Sequence, residues 1–438
     1  MFSSENSAEF PDKKTGEASQ KESLPVFFVL LLPEIYQKFT FYLTNLDKML
    51  YAKAESFHRG MRTMTSLDII CIGAINYDYM FHCTAEDLQI NEIESGDEKL
   101  SNPISEVEDD ISELIHKDRP YTTQIGGSAF ITLKVIKHIL PQLKAAYVGV
   151  CGTPNDFDFR YGKSNNLAEE LSHLDDKQWL FTTEDRFEDP YSRTIAKSVV
   201  RLYNHTRNCI KIAPCANNTL LGRIQEKEER TGESFSEYLS QARWIHLSSL
   251  SDFEQFEVIM RYVIQAKMLN PALRVSMDPG FEYTSRRRER LQSLVSNSDY
   301  IFLNKAEKRN LGLNAERMRP LYRNLCEYFT EINPSPERTL IVKHDDRHEL
   351  LRFHENKCRI RTIRHQKLYQ YQLNNDTGAG DSFAGGFISG MLDDRINSDI
   401  AGPIQLGVLA AKGRMRSFDH ENPYQNIQKL TDAFFASL

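Results

Sequence analysis

The chain has 438 residues, of which 40% are hydrophobic, so it can bury a large core. Its 54 Lys and Arg residues stand against 61 Asp and Glu residues, and the formal net charge of −7 argues against a broad nucleic-acid surface. Seven cysteines form no Cys-x-x-Cys pair and are odd in number, which is typical of reduced thiols in the cytoplasm. We therefore expect a cytoplasmic protein without a nucleic-acid partner.

Residues 1–63 form a predicted N-terminal extension that is partly disordered. Residues 1–23 are polar and charged and are expected to lack structure, whereas residues 35–51 can form an amphipathic helix. The apolar run 26–32 has only seven residues, against the roughly 20 needed to span a bilayer, so we expect no membrane partner. The main domain is predicted over residues 64–438.

Apolar strand patterns follow one another along the main domain. The strands are predicted at Leu67–Asp78, Ala145–Gly152, Trp244–Ser248, Arg274–Gly280, Asp299–Leu303 and Thr339–Lys343. The first strand ends in the pattern Gly-x-x-Asn-x-Asp, which contains Asn76 and Asp78. Residues 126–128, Gly-Gly-Ser, precede a helical pattern that Pro141 closes.

Two segments depart from this pattern. Residues 84–120 hold twelve acidic residues against three basic ones, so we expect about two dozen of them to form an acidic insertion, a solvated and flexible loop. Residues 195–203 and 209–212 instead predict two strands around an Asn-His-Thr-Arg turn. The first segment is therefore expected to lie outside the core, and the second to form a hairpin.

The most informative run is residues 374–383, Asn-Asn-Asp-Thr-Gly-Ala-Gly-Asp-Ser-Phe. A helix is predicted to begin near Ala379, where the first backbone N–H groups have no intrahelical partner and the helix dipole is positive. Because Gly378 and Gly380 lack a Cβ, a phosphate can approach those N–H groups closely. Asp381 lies in the first turn, where a carboxylate can take a proton from an attacking hydroxyl. The run therefore predicts a phosphotransferase site.

Other interpretations of these residues remain open at this point. The Gly-x-Gly segment can be a plain tight turn with Asp381 as a helix cap. It is neither a Walker A loop, which ends in Gly-Lys-Ser/Thr, nor a dinucleotide fingerprint, since Phe383 takes the third glycine's place. Residues 380–382, Gly-Asp-Ser, also resemble a serine hydrolase motif. The pair of Asp345 and His348 lies upstream, however, whereas such hydrolases carry their Asp-x-x-His pair downstream.

Residues 376–381, Asp-Thr-Gly-Ala-Gly-Asp, resemble the C-terminal signature Asp-Thr-x-Gly-Ala-Gly-Asp of the ribokinase-like (phosphofructokinase-B type) carbohydrate kinases, with one residue fewer. Further landmarks follow the family's order: Gly73-x-x-Asn76-x-Asp78, Gly126-Gly127, Ala216-Asn217-Asn218 and Asn304-x-x-Glu307. The resemblance covers about residues 64–438. It implies an α/β fold, namely a three-layer α/β/α sandwich with a mostly parallel central sheet and a small β lid from segments of about 79–125 and 187–215.

The resemblance also implies a role for each motif. The family transfers a phosphoryl group from ATP, with Mg²⁺, to a hydroxyl of a small sugar or sugar-derived acceptor. For this chain it implies Asp381 as general base with Gly378, Ala379 and Gly380 as the anion hole, acceptor binding by Asp78, Asn76, Gly126 and Gly127, and nucleotide binding by Asn304, Glu307, Lys343 and Thr377. Glu307 holds Mg²⁺ through water in this interpretation, while activation by K⁺ and a homodimer are left open.

Two departures from the family bear on the acceptor. Ile131 stands where the family has an asparagine four residues after the Gly-Gly pair, which favours a less polar acceptor. Asp345 replaces a glycine beside the adenine site and leaves the chemistry untouched. A nucleoside is the alternative acceptor, because residues 126–128 with Lys134-Val135 also resemble adenosine kinases. A catalytically silent sensor is a third hypothesis, and the intact Asp381 argues against it.

Overall fold

The computed structural model describes most of the predicted main domain. The described residues are 67–88, 97–101, 103–162, 167–183, 189–204, 206–248, 250, 252–286, 297–310, 338–344, 346–354, 357–368, 373–417 and 422–437. All of them belong to one structural unit, which spans residues 63–438. The predicted extension 1–63, with the helix expected at 35–51, lies outside the described residues, as does Asp345.

Fourteen strands occur in the described part of the chain. In chain order they are β1 (Leu67–Ile72), β2 (Asn76–His82), β3 (Asp97–Leu100), β4 (Tyr121–Gly126), β5 (Ala145–Cys151), β6 (Leu180–Thr182), β7 (Ala196–Tyr203), β8 (Thr206–Ala213), β9 (Ala242–Ser248), β10 (Arg274–Asp278), β11 (Tyr300–Leu303), β12 (Arg338–Lys343), β13 (Arg347–His354) and β14 (Lys357–Arg364). They divide between a central sheet and a smaller second sheet.

Nine of these described strands form the central sheet, in the order β14-β13-β12-β11-β10-β9-β1-β5-β6. Neighbours from β12 to β6 run parallel, whereas β13 and β14 add antiparallel pairings at one edge. On β1, Ile69 and Cys71 are buried in one core cluster and Ile70 and Ile72 in the other. A parallel sheet covered on both faces needs such continuous apolar strands. The predicted, mostly parallel central sheet is confirmed.

Helices cover both faces of the central sheet. In chain order the described helices are α1 (Ser105–His116), α2 (Ser128–Ile139), α3 (Asp156–Tyr161), α4 (Leu167–Ser172), α5 (Pro190–Arg193), α6 (Leu220–Thr231), α7 (Phe235–Ser240), α8 (Phe253–Leu269), α9 (Gly280–Arg286), α10 (Lys305–Asn310), α11 (Ala379–Leu392), α12 (Ala401–Arg416) and α13 (Pro423–Phe435). Helices α2, α11, α12 and α13 pack on one face, and α6, α7 and α8 on the other. The three-layer α/β/α sandwich is thereby confirmed. None of the helices in the described ranges is both long and apolar enough to cross a bilayer.

The second sheet, called the small sheet below, has the strand order β3-β8-β7-β2-β4 among the described residues. Strands β7 and β8 pair antiparallel and form the hairpin expected from the sequence, although β8 begins at Thr206, earlier than predicted. Strand β2 pairs parallel with β7 and antiparallel with β4. The small sheet therefore joins strands that are far apart in the chain.

The acidic segment 84–120 is more ordered than the sequence suggests. It contains β3 and α1, and α1 packs against the small sheet through three buried residues at helical spacing: Val107, Ile111 and Leu114. The acidic residues of α1 meet cations of β7, since Glu108 pairs with Lys197 at 2.9 Å and Asp110 with Arg201 at 3.0 Å. The expectation of a flexible loop was wrong for β3 and α1. The acidic composition of the segment does not reveal the narrow apolar stripe of α1, nor the cations of β7 that pair with its acidic residues.

The predicted first strand 67–78 is two strands in two different sheets. Between β1 and β2, the buried Asn217 side chain accepts the Ile75 N–H at 3.2 Å and donates to the Ile75 carbonyl at 3.3 Å. The Asn217 side chain thus forms the hydrogen bonds with the Ile75 backbone that a neighbouring strand would otherwise form. Asn76 and Asp78 consequently lie on β2 of the small sheet, which corrects their predicted place at the end of a central strand.

Gly127 joins β4 to α2 and lets two backbone segments approach each other. Its φ is +105°, a value that residues with a Cβ rarely adopt. A Cβ at this position would lie 1.9 Å from the Ala74 carbonyl oxygen, next to the break between β1 and β2. The junction of the two sheets therefore requires glycine here.

We expect Gly127→Ala to destabilise the fold by more than about 2 kcal/mol, because it adds a backbone clash to an unfavourable φ. Gly222→Ala is the matched control: a Cβ there meets no described atom within 4 Å, and Gly222 lies in α6. The control should gain about 0.5–1 kcal/mol from higher helix propensity. Denaturant unfolding of both variants measures these changes, and equal stabilities would contradict the role of Gly127.

Candidate active site

A cavity of about 830 Å³ lies where the small sheet meets the central domain. Eleven of the twelve predicted site residues line it: Asn76, Asp78, Gly127, Asn304, Glu307, Lys343, Thr377, Gly378, Ala379, Gly380 and Asp381. The twelfth, Gly126, lies behind the Asp78 carboxylate, where a Cβ would come within 1.7 Å of Oδ2. The fold therefore brings the predicted motifs together in one cavity.

The phosphate loop, residues 375–379, turns the chain into α11. Gly378 has a φ of +77° and precedes the first helical residue, Ala379, as the sequence predicts. The Thr377 N–H donates to Asn375 Oδ1 at 2.8 Å, and the Ala379 N–H donates to the Asp376 carbonyl at 3.1 Å. The amide of Ala379 is therefore occupied inside the turn. Of the three small residues predicted to form an anion hole, only Gly378 and Gly380 therefore have amides without a bond inside this turn that the structure shows.

Asp381 lies in the first turn of α11 and faces α2. Ser128 Oγ donates a hydrogen bond to Asp381 Oδ1, and Thr132 Oγ1 donates to the Asp381 backbone carbonyl at 3.2 Å. These two contacts from α2 hold the carboxylate at the cavity wall. The neighbouring Ser382 is fully buried, which excludes it as an accessible hydrolase nucleophile. The arrangement favours Asp381 as an acid–base group.

Lys343, at the end of β12, places a half-buried ammonium beside the phosphate loop. Its Nζ lies 3.1 Å from Asp278 Oδ2, and a Cβ on Gly380 would approach the same Nζ to 3.1 Å. Burial alone would lower the pKa of Lys343, but Asp278, then Glu307 and Asp381, outweigh it and raise the pKa above its usual value. Lys343 is therefore a permanent cation at the point where a phosphate would enter.

Glu307 and Asn304 hold each other at the start of α10. The Asn304 N–H donates to Glu307 Oε2 at 2.7 Å, the Asn304 amide donates to Oε1 at 2.8 Å, and the Glu307 N–H donates back to Asn304 Oδ1 at 2.9 Å. These hydrogen bonds fix the orientation of the Glu307 carboxylate at the cavity wall.

Asp78 is buried on the cavity face of the small sheet. Ser198 Oγ donates to Asp78 Oδ1 at 2.6 Å, and Gln124 Nε2 lies 3.4 Å from Oδ2. Burial raises the pKa of Asp78 to about 6, and Asp381 adds to this, while the two hydrogen bonds and the Arg414 charge oppose it. The carboxyl group of Asp78 therefore lies at the cavity, where it can bind a polar ligand, and its burial makes ionisation unfavourable.

Asn76 has a fixed orientation beside Asp78. Its Oδ1 accepts a hydrogen bond from Asn217 Nδ2 at 3.0 Å, so its own amide group is presented to the cavity side of β2. Asn217 thus serves both the strand break at Ile75 and the acceptor end of the site. The same asparagine couples backbone geometry to side-chain placement.

The cavity is apolar around these polar groups. Its wall on the small sheet consists of Leu100, Val200, Ile210 and Ile212, and Ile131 and Leu250 close the sides. The apolar Ile131 was expected from the sequence, whereas the wall was not. A ligand that fits here combines hydroxyl groups for Asp78 with an apolar part.

Three histidines line the end of the cavity beyond the phosphate loop: His344, His348 and His365. His348 stacks on Phe383 of α11 with ring centroids 4.4 Å apart, and burial lowers its pKa to about 3. Within the described residues no group of three or more His, Cys, Asp or Glu side chains is arranged to hold a metal ion. Burial also lowers the pKa values of His344 and His365, so all three rings favour the neutral form.

Several residues of the site escaped the sequence interpretation. Ser128, Asp278, Ser198 and Arg414 contact predicted site residues, and none had been assigned a role. Asp278 ends β10, and ligands of parallel α/β sheets bind at the carboxyl ends of strands. That rule would have found Asp278, whereas no local pattern marks the other three.

The raised pKa of Asp78 should make the free energy of unfolding depend on pH. Its folded-state pKa of about 6 exceeds the usual 3.8, so its stabilising effect is present below pH 4 and is lost as the pH rises through 6. The free energy of unfolding of Asp78→Asn relative to wild type should therefore increase by about 1–3 kcal/mol between pH 4 and pH 8. Denaturant unfolding at both pH values measures this, with the exposed Asp394→Asn as control. A pH-independent difference would contradict the burial of Asp78.

Comparison with known proteins supports the fold at low sequence identity. No family model and no curated protein matches the chain in sequence. An adenosine kinase from Schistosoma mansoni in complex with 2-fluoroadenosine has a TM-score of 0.62 at 16% identity, covering 82% of this chain and 98% of that one. A probable sugar kinase from Rhizobium etli has a TM-score of 0.56 at 16% identity, covering 84% and 99%. A ribokinase from Giardia lamblia has a TM-score of 0.59 at 15% identity, covering 85% and 100%.

These three structures match over nearly their whole length, so the similarity involves complete kinases rather than a shared fragment. At identities of 15–16% such a match establishes the fold and leaves function to the site. The order of the central sheet and the attached small sheet agree with the fold expected from residues 376–381. The chain therefore has the ribokinase-like fold.

Proposed function

We propose that this protein is a kinase that transfers a phosphoryl group from ATP to a hydroxyl of a small sugar or sugar-derived acceptor. The observation that carries the proposal is the placement of Asp381, the phosphate loop and Lys343 in one cavity with Asp78. A carboxylate base, a helix N-terminus and a half-buried cation together suit phosphoryl transfer and little else. Kinases of sugars and nucleosides also share the fold.

The acceptor is bound between the small sheet and α11 in this proposal. Asp78 and Asn76 receive its hydroxyl groups, and Gly127 leaves room for it beside α2. Asp381 accepts the proton of the attacking hydroxyl, and the hydrogen bond from Ser128 keeps the carboxylate oriented toward it. The apolar wall excludes water from the reacting hydroxyl.

The nucleotide phosphates are bound at the start of α11. Backbone amides of Gly378, Gly380 and Asp381 and the Lys343 ammonium stabilise negative charge on the transferring group, while the Ala379 amide stays bonded within the turn. Thr377 supports this assignment, because its buried Oγ1 has no hydrogen-bond partner among the described residues and can donate to a phosphate. The base of the nucleotide then reaches the three neutral histidines. These residues fit ATP.

A divalent cation fits the charges of the site. The cavity is lined by five carboxyl groups, of Asp78, Asp278, Glu307, Asp376 and Asp381, against the three ammonium groups of Lys343, Lys367 and Lys412, and the first carboxylates around Lys343 are Asp278, Glu307 and Asp381. Phosphates would add further negative charge, which a cation must offset. Mg²⁺ would supply this neutralisation, with Glu307 and Asn304 holding its water shell. Nothing in the described residues requires K⁺ or a second subunit.

A nucleoside is the second candidate acceptor, and the apolar wall of the cavity favours it. Leu100, Val200, Ile210 and Ile212 can contact a base while Asp78 binds the ribose hydroxyl groups. Ile131, in place of a polar residue, agrees with this acceptor. Adenosine kinases from Schistosoma mansoni and Anopheles gambiae are among the proteins that share the fold. A silent sensor is disfavoured by the intact Asp381.

We propose the cytoplasm as the site of action, without nucleic-acid or membrane partners. Five cysteines whose side chains are described, Cys71, Cys83, Cys151, Cys209 and Cys215, are free thiols, which suits a reducing compartment. The net charge of −7 disfavours binding to nucleic acid or to anionic membrane surfaces.

Replacing the base tests the reaction class. Asp381→Asn keeps the shape and removes the basicity, so kcat should fall by about 10²–10⁴ while the KM for ATP changes little. Ser382→Ala is the control, because the buried Ser382 has no chemical role in a kinase, whereas a serine hydrolase would lose all activity. ATP turnover is measured with a panel of sugars and nucleosides. Activity of Asp381→Asn within a few-fold of wild type would show that another group is the base.

Replacing Asp78 tests the acceptor end. Each hydrogen bond from an acceptor hydroxyl to the Asp78 carboxylate contributes about 1.5–3 kcal/mol to binding. Asp78→Ala should therefore lower kcat/KM for the acceptor at least tenfold. The KM for ATP should stay nearly unchanged. Ile131→Asn restores the family's amide and should shift preference from nucleosides toward sugars with more hydroxyl groups. A kinetically silent Asp78→Ala would place the acceptor elsewhere.

A further inference from the structure

Arg414 of α12 is a buried arginine that contacts two separate parts of the site. It is only 5% exposed. Its Nε donates to the Thr377 carbonyl at 2.8 Å, and its Nη2 donates to Gln124 Oε1 at 3.0 Å. The first contact reaches the phosphate loop and the second reaches β4 of the small sheet. One guanidinium therefore connects the phosphate loop to the small sheet.

The contact continues from Gln124 to Asp78. The two residues face each other across the β2–β4 pairing, and Gln124 Nε2 lies 3.4 Å from Asp78 Oδ2. Ser198 of β7 holds the other carboxylate oxygen at 2.6 Å. Thr377, Arg414, Gln124 and Asp78 thus form a continuous polar chain. Its two ends, Thr377 and Asp78, line the cavity, whereas its two middle residues, Arg414 and Gln124, do not.

The contact with Thr377 also orients the next peptide group. In a trans peptide the carbonyl and the N–H point in opposite directions. Because the Thr377 carbonyl is held by Arg414, the Gly378 N–H points away from α12. Glycine is required at position 378 by its positive φ, since a Cβ there would make only an ordinary contact of 3.4 Å with Arg414 Nε. The planar guanidinium donates from both ends, which fixes the direction of the Thr377 carbonyl relative to Gln124.

We propose that Arg414 is a positioning residue that couples the acceptor end of the site to the phosphate loop. Through Thr377 it holds the amides that bind phosphate, and through Gln124 it holds Asp78 for the acceptor. Binding of an acceptor at Asp78 is thereby coupled to the orientation of the phosphate loop. This inference rests on the proposed kinase function, and it goes beyond it by assigning a coupling role to a residue outside the cavity.

The charge of Arg414 also acts on Asp78. Arg414 from α12 lowers the pKa of Asp78 and Asp381 from α11 raises it, while Ser198 and Gln124 lower it through hydrogen bonds. Removing the guanidinium therefore raises the pKa of Asp78 further. Ionised Asp78 then forms only at higher pH, so the acid limb of kcat/KM for the acceptor should move to higher pH. A purely structural role would not produce this shift.

The kinetic test compares Arg414→Met, Gln124→Leu and the double variant, with adenosine and D-ribose as probes. Arg414→Met should lower kcat/KM for the accepted probe by about ten- to a hundredfold, raise its KM and also lower kcat. Gln124→Leu should raise mainly the KM for that probe. The double variant should resemble Arg414→Met alone, because the two residues belong to one chain of contacts. The exposed Arg416→Met, on the same helix, is the control and should behave as wild type.

Hydrogen exchange of the unliganded variants gives a test that needs no substrate. Arg414→Met should increase exchange several-fold both in residues 373–381 and in β4, whereas Arg416→Met should change neither. Effects that multiply in the double variant, an unmoved acid limb, or unchanged exchange in β4 would each overturn the coupling. A wild-type protein that phosphorylates no sugar or nucleoside would refute the proposed function instead, and the exchange result would still decide the coupling.

Discussion

The site depends on a half-buried positive charge that carboxylates surround. Lys343 lies at the end of β12, and Asp278, Glu307 and Asp381 raise its pKa against the opposing effect of burial. Each of these residues comes from a different element, so the four come together only when the central sheet and α11 are assembled. The same charges explain why the cavity suits a phosphate accompanied by a cation.

Two backbone features translate this arrangement into a cavity with two ends. The phosphate loop uses a left-handed glycine to start α11 where Asp381 faces α2. The break at Ile75 sends the chain from the central sheet into the small sheet, which carries Asp78 to the opposite side of the cavity. Both features avoid unsatisfied backbone groups, since a turn or the Asn217 side chain takes them. The distance between acceptor and phosphate is thus set by the backbone.

Polarity differs sharply between the two ends. The phosphate end is built from amides and charges, whereas the acceptor end sets a few hydrogen-bonding groups in an apolar wall. Such a wall removes water from the ligand, so a hydroxyl group of the ligand binds favourably only where it forms a hydrogen bond with Asp78. This contrast is why the geometry supports phosphoryl transfer more directly than it identifies the acceptor.

The sequence by itself determined what depends on neighbouring residues. The helix start at residues 376–381 and the pair of Asn304 and Glu307 are local, because their hydrogen bonds span only a few positions. The apolar strands likewise predicted a sheet buried on both faces. Only the tertiary structure decided the contacts between distant segments: Ser128 lies 253 positions from Asp381, and Gln124 lies 290 positions from Arg414. No local period records such a pair, and Asn217 breaks an otherwise continuous apolar strand from 142 positions away. Local propensity and periodicity fix the elements, whereas the polar groups that those elements bury find their partners only when the chain is folded.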